Sequence, residues 1–118
     1  MAWDKLRIIR MWYAEQLAYL LGKLDAVPEG TGTMLDNTLV VLGSEIARGN
    51  SHTHMDAPFI LAGGAGELSM NRNLDFTNGD EDISHNNLLV AIQNVMGLPG
   101  TTFGDPTFCT RPLTELWG

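Results

Sequence analysis

Two short apolar runs, Thr38–Gly43 (TLVVLG) and Phe59–Ala62 (FILA), restrict the fold more than any other feature of the chain. A run that is aliphatic and β-branched at nearly every position, with no polar alternation, is the pattern of a strand buried on both faces. Parallel sheets covered by helices have such strands. Asp36-Asn37 forms a turn before the first run, Pro58 leads into the second, and Gly63-Gly64 closes it. The stretch Leu35–Gly64 therefore reads as strand, polar loop, strand, with Ser44–Ala57 as the loop.

The flanking segments read as covers for these strands. Between Trp3 and Leu24, apolar residues recur at Leu6, Ile9, Tyr13, Leu17, Leu20, Leu21 and Leu24, the spacing of an amphipathic helix. Trp3, Trp12, Tyr13 and Tyr19 are expected to pack in the core; a glycan-stacking face is the alternative, and it requires Trp3 and Trp12 to be exposed. Pro28, Gly30 and Gly32 make Asp25–Thr33 a connecting loop. Residues 65–82 read as a surface loop with a short hairpin around Asn71–Phe76. Ser84 caps a helix over His85–Met96, Gly97 suits its left-handed end, and Pro99 follows. Leu113, Leu116 and Trp117 in the turn-rich tail are expected to pack back onto the body.

The pattern defines an α/β fold: one domain over residues 1–118, with a small, mostly parallel sheet and flanking helices. Two strands alone leave unpaired edges. A further strand is therefore expected within residues 65–82, or pairing with a second chain as a homo-oligomer, or a larger sheet of which this is a piece. A net charge of −7 and dispersed basic residues exclude a nucleic-acid footprint. No apolar run has membrane-spanning length, so no membrane partner is expected. No signal core is visible, and the chain as written is expected to remain in the cytoplasm. Cys109 is the only cysteine, which excludes an internal disulfide and a thiolate cluster.

The polar loop carries the candidate chemistry. Glu45 follows the first strand, where ligands of open α/β sheets tend to sit. His52 and His54 come next with one residue between them, then Asp56. A carboxylate and two imidazoles are ligands suited to zinc first, with calcium or magnesium as alternatives. The two histidines could instead act as general acid and base. The plain alternative is a solvated loop whose histidines cap turns. His85 is expected as a polar first-turn residue, or as a third imidazole reaching the strand ends. Ser44 lacks the glycine-flanked elbow of a nucleophile. Gly63, Gly64 and Gly66 lack the Lys-Ser/Thr and helix of a phosphate loop and read as a turn.

A wider set of segments carries a resemblance: Tyr13–Asp25, Asp36–Val40, Gly43–Glu45, Gly49–His54, Gly63-Gly64, His85–Leu89, Gly97–Pro99 and Phe103–Asp105. Together they resemble the C-terminal part of the alkaline phosphatase and sulfatase superfamily. The closer likeness is to uncharacterised, commonly exported bacterial families of that clan, abundant in planctomycetes. The resemblance implies a site in which metal ions hold a phosphate or sulfate ester for attack by Ser, Thr or formylglycine. It implies that the nucleophile and a metal-binding Asp lie in an N-terminal part with no equivalent in these residues. It matches Glu45 to the acidic ligand and His52 or His54 to the later metal histidine, with Ile46 where a histidine is frequent. The expected function is a metal-dependent hydrolase of an ester or glycosidic small molecule or saccharide, with Glu45 and His54 as catalytic residues and metal-activated water as nucleophile. The alternative is a non-catalytic C-terminal module that oligomerises or binds a ligand.

Overall fold

The structure, a computed structural model, describes residues 2–77 and 83–118. The chain divides into two compact units. One runs from the N-terminus to Leu42 and includes Ile60–Gly64; the other comprises Gly43–Phe59 and Ala65–Gly118.

The first unit opens with α1, Ala2–Asp25, whose ends carry Asp4 and Lys23 in keeping with the helix dipole. Within the expected loop lies a minimal antiparallel hairpin, β1 (Pro28–Glu29) and β2 (Gly32–Thr33), turned at Gly30 with φ of 60°. The two apolar runs become β3, Val40–Gly43, and β4, Phe59–Ala62. β3 starts later than its sequence suggests because Thr38 is committed elsewhere. Its hydroxyl donates to Met34 O at 2.6 Å and its amide to Leu35 O at 3.2 Å, which closes a turn instead of a ladder.

The β3–β4 pair is antiparallel, which corrects the expectation of a mostly parallel sheet. The amide of Ser44, just past β3, donates to Pro58 O, just before β4, at 3.3 Å. At the opposite end, Gly63 (φ 113°) lies so close to Thr38 O that a Cβ there would collide with it. A parallel pair needs a crossover, usually helical. Here the connection folds back on itself instead, through an antiparallel bridge between Arg48 and Thr53 and an Ala47 N–Thr53 O bond of 2.9 Å. No strand occurs in residues 65–77, where a third strand and the Asn71–Phe76 hairpin were expected; 78–82 lie outside the described residues.

Among the described residues of the first unit, none is buried. The reason is geometric. A 24-residue helix extends about 36 Å, whereas four-residue strands extend about 13 Å. Leu17, Leu21 and Leu24 are half-buried, and Tyr13, Gln16, Leu17 and Leu20 share a groove of about 230 Å³ with Val40, Val41 and Leu42. The N-terminal half of the same apolar stripe projects past the sheet. The aromatic residues expected in a core are exposed instead: Trp3 by 79%, Trp12 by 53%, Tyr13 by 56% and Tyr19 by 64%.

The buried residues belong to the second unit. α2, His85–Val95, starts where the Ser84 hydroxyl accepts the Asn86 amide at 3.2 Å, and it gives way to Gly97 at φ 79°. Leu88, Val90 and Ala91 form a small core with Leu113 and Leu116 of the tail, while Trp117 remains outside it. Asn87, completely buried, binds the tail. Its Oδ1 accepts the amides of Thr110 at 3.0 Å and Arg111 at 3.4 Å, and its Nδ2 donates to the Thr110 hydroxyl at 2.8 Å. Ser69 and Arg72 hold the C-terminal turn through the carbonyls of Leu116, Trp117 and Glu115.

Candidate functional site

The end of β3 and the loop after it belong to the second unit, and the site builds outward from Gly43. A Cβ on Gly43 would stand 2.5 Å from the Phe59 ring, so the ring lies directly on the glycine backbone. Phe59 also stacks on the imidazole of His85, with centroids 6.3 Å apart and planes at 19°. His85, the exposed first residue of α2, thus meets Phe59 of β4 and is not gathered with His52 and His54.

Two residues beyond Gly43, the carbonyl of Glu45 meets His54 Nδ1 at 2.7 Å. A carbonyl oxygen only accepts, so Nδ1 carries a proton, and in the neutral ring Nε2 is the acceptor nitrogen. Binding one ring nitrogen to a backbone carbonyl is how imidazoles are oriented when the other nitrogen serves as ligand or base. Because the bond is to the main chain, the Glu45 side chain plays no part in it. Ser44 does not approach either group as a nucleophile: its hydroxyl donates to Ile46 O at 2.8 Å.

His52 and Asp56 owe their positions to backbone conformations unusual for non-glycine residues, φ of 51° and 61°. His52 ends the turn between Arg48 and Thr53, and Asp56 ends the next bend, after Met55 N donates to the Thr53 hydroxyl at 3.2 Å. All four loop residues, Glu45, His52, His54 and Asp56, are exposed. Among the described residues, no three His, Cys, Asp or Glu side chains are gathered so as to hold a metal ion. The loop thus presents one oriented imidazole and leaves its other candidate ligands apart.

The carboxylates with clearly lowered pKa lie away from this loop. The Thr77 hydroxyl and then its amide hold Asp75 below its usual range. The amide and then the hydroxyl of Thr107 do the same for Asp105, which caps the turn Pro106–Phe108. Arg111 lowers Glu115 through hydrogen bonds of 2.7 and 2.9 Å. An open cleft of about 640 Å³ lies at the far end of α2, lined by Asn94, Gly97, Pro99, Gly100, Thr101 and Pro112, none of which carries acid–base or metal chemistry. Cys109 is half-buried; its sulfur accepts the Phe103 amide at 3.2 Å, a structural use of the thiol.

Sequence reasoning missed Asn87 and the Gly43–Phe59–His85 stack. A trace of the first was available, since Asn87 directly precedes the apolar run Leu88–Ile92 on the helix. The stack depends on a close approach that no spacing encodes. No protein-family model, curated protein or solved structure matches this chain.

Proposed function

We propose that this chain provides one wall of a hydrolytic site for an ester or glycosidic substrate, with His54 Nε2 as its working atom. The observation that supports this reading is the 2.7 Å bond from His54 Nδ1–H to the Glu45 carbonyl. It selects the tautomer and leaves a basic lone pair directed away from the main chain. Such a nitrogen can accept a proton from water as it attacks, or it can ligate a divalent ion. A bound ion would bring the pKa of its water toward neutrality. Of the four expected metal ligands, His54 alone has an arrangement that suits the task. Glu45 contributes its carbonyl as the orienting group, water is the attacking group, and the opposite wall of the site would come from a second copy of the chain.

The test compares wild-type protein with His54→Ala and His54→Gln on chromogenic phosphate, sulfate and acetate esters and glycosides, with and without zinc, calcium or magnesium. Turnover lost in both variants, together with metal content reduced in both, is expected. Turnover unchanged in both would refute the role of His54. A second reading, a non-catalytic ligand-binding module, is favoured by the exposure of Glu45, His52, His54 and Asp56. It predicts binding without turnover.

A further inference from the structure

The first unit has charge as well as apolar surface left uncovered, and the two are arranged in a pattern. In the N-terminal half of α1, Lys5, Arg7 and Arg10 outnumber Asp4. Toward the other end of the helix and the hairpin that follows, Glu15, Asp25, Glu29 and Asp36 outnumber Lys23. Three of these acids cluster at the hairpin. Thr33 Oγ1 lies 3.4 Å from Asp25 and 3.1 Å from Asp36, and Glu29 accepts the Asn37 amide at 2.8 Å. The unit is therefore basic at the projecting end of α1 and acidic at the opposite end.

The apolar stripe of α1 runs through both ends. Where β3 lies against it, Leu17 and Leu21 are half-buried. Farther toward the N-terminus on the same phase, Trp3, Leu6, Ile9 and Tyr13 are exposed by 79, 45, 50 and 56%. Those four side chains of α1 offer on the order of 450 Å² of apolar surface, which at the ~65% apolar content of a homodimer interface corresponds to about 700 Å² per partner. Standard stable interfaces bury roughly 600–1,000 Å² per partner.

We propose that a second copy of this chain covers this face, with the two α1 helices antiparallel about a two-fold axis. A two-fold contact is reciprocal, so whatever one copy offers, the other must complement. The antiparallel arrangement meets that condition twice. Each projecting basic half of α1 lies over the acidic hairpin end of its partner, and each overhanging stripe finds apolar surface. A parallel arrangement would set Lys5, Arg7 and Arg10 against their own copies. The Trp12 and Tyr13 rings meet edge to face, 5.2 Å apart at 74°, so the two do not form one flat platform.

The test measures the mass of the full chain by sedimentation velocity and light scattering at low and high salt, with far-UV circular dichroism as the folding control. Wild type is expected to be a dimer whose dissociation constant rises at least about tenfold with salt, because the facing charges are exposed. Arg7→Glu/Arg10→Glu and Asp25→Lys/Glu29→Lys should each be monomeric. Mixed together they should form a dimer of one copy of each, since one charge contact is then native and the other is restored in reversed sense. A wild-type monomer at every concentration overturns the proposal. So does a dimer that survives in both charge variants, or a mixture that stays monomeric while each variant retains its helix content. A monomer that instead binds cello-oligosaccharides with a shift in tryptophan fluorescence overturns it in favour of a glycan face. None of these readouts depends on hydrolysis.

Discussion

Replacing Asn87 with alanine should destabilise the second unit more than any exposed substitution in the molecule. The side chain is completely buried and makes three hydrogen bonds to Thr110 and Arg111, of 2.8, 3.0 and 3.4 Å. Each is worth about 1 kcal/mol net, and the longest contributes least. Truncating a completely buried amide also removes packing in the core. Thr110 is itself exposed, so water can recover part of its bonding. The expected loss is therefore about 2–3 kcal/mol, a large fraction of the stability of a small domain. In a thermal melt this corresponds to a fall in midpoint of roughly 8–20 °C. Amide hydrogen exchange gives the specific readout: the Thr110 and Arg111 amides should lose protection in the variant, along with Leu113, whose amide donates to the Asn87 carbonyl at 3.3 Å. A midpoint unchanged within about 2 °C, with these amides still protected, would refute the argument that Asn87 holds the tail.

Three further outcomes follow from geometry already described. Gly43→Ala forces a Cβ into the Phe59 ring, 2.5 Å away, and should cost about 1–3 kcal/mol by chemical denaturation while shifting the His85 ring resonances, because the stack must open. His52→Gly removes a side chain from a backbone at φ 51° and should raise the denaturation midpoint, by up to about 1 kcal/mol, leaving His54 resonances unchanged. The Glu115 carboxyl titrates below its usual value of 4.5 because of Arg111, and its folded pKa therefore lies below its unfolded one. The stability it contributes is complete above the unfolded pKa and is lost as pH falls through the folded pKa. With its side chain 38% exposed, the pair is worth no more than about 1 kcal/mol after solvent screening. Trp117 fluorescence should then report loosening of the C-terminal turn below about pH 4.5 in wild type and a smaller change in Glu115→Gln.

The elements were legible where local chemistry decides them. Ser84 and Gly97 mark the ends of α2 because a hydroxyl cap and a left-handed residue satisfy helix termini whatever the rest of the fold does. β4 follows from Pro58 and the glycine pair for the same reason. Strand direction was not legible. The apolar run Thr38–Gly43 has the composition of a strand covered on two faces, yet both faces remain partly open, and the antiparallel return depends on backbone bonds between Ala47, Arg48 and Thr53. Helical spacing placed Leu6 and Ile9 on the inward stripe but could not show that a four-residue sheet is too short to reach them. At the candidate site, His54 was identified by residue type. Its actual partner is the main chain of Glu45, which side-chain reasoning cannot reveal.

The confinement of buried residues to α2 and the tail also sets the order in which the molecule comes apart. Leu88–Ala91 and Leu113–Leu116 are separated by only about twenty residues, so closing that loop costs little entropy and the contact re-forms quickly. This makes the second unit a cooperative foldon whose amides open last. The first half of α1, exposed along its apolar stripe, has little beyond intrinsic helicity to protect it, and a helix of that length is marginal in water by itself. Brief treatment of dilute protein with trypsin should therefore cut first at Lys5, Arg7 and Arg10, leaving a resistant fragment that contains α2 and the tail.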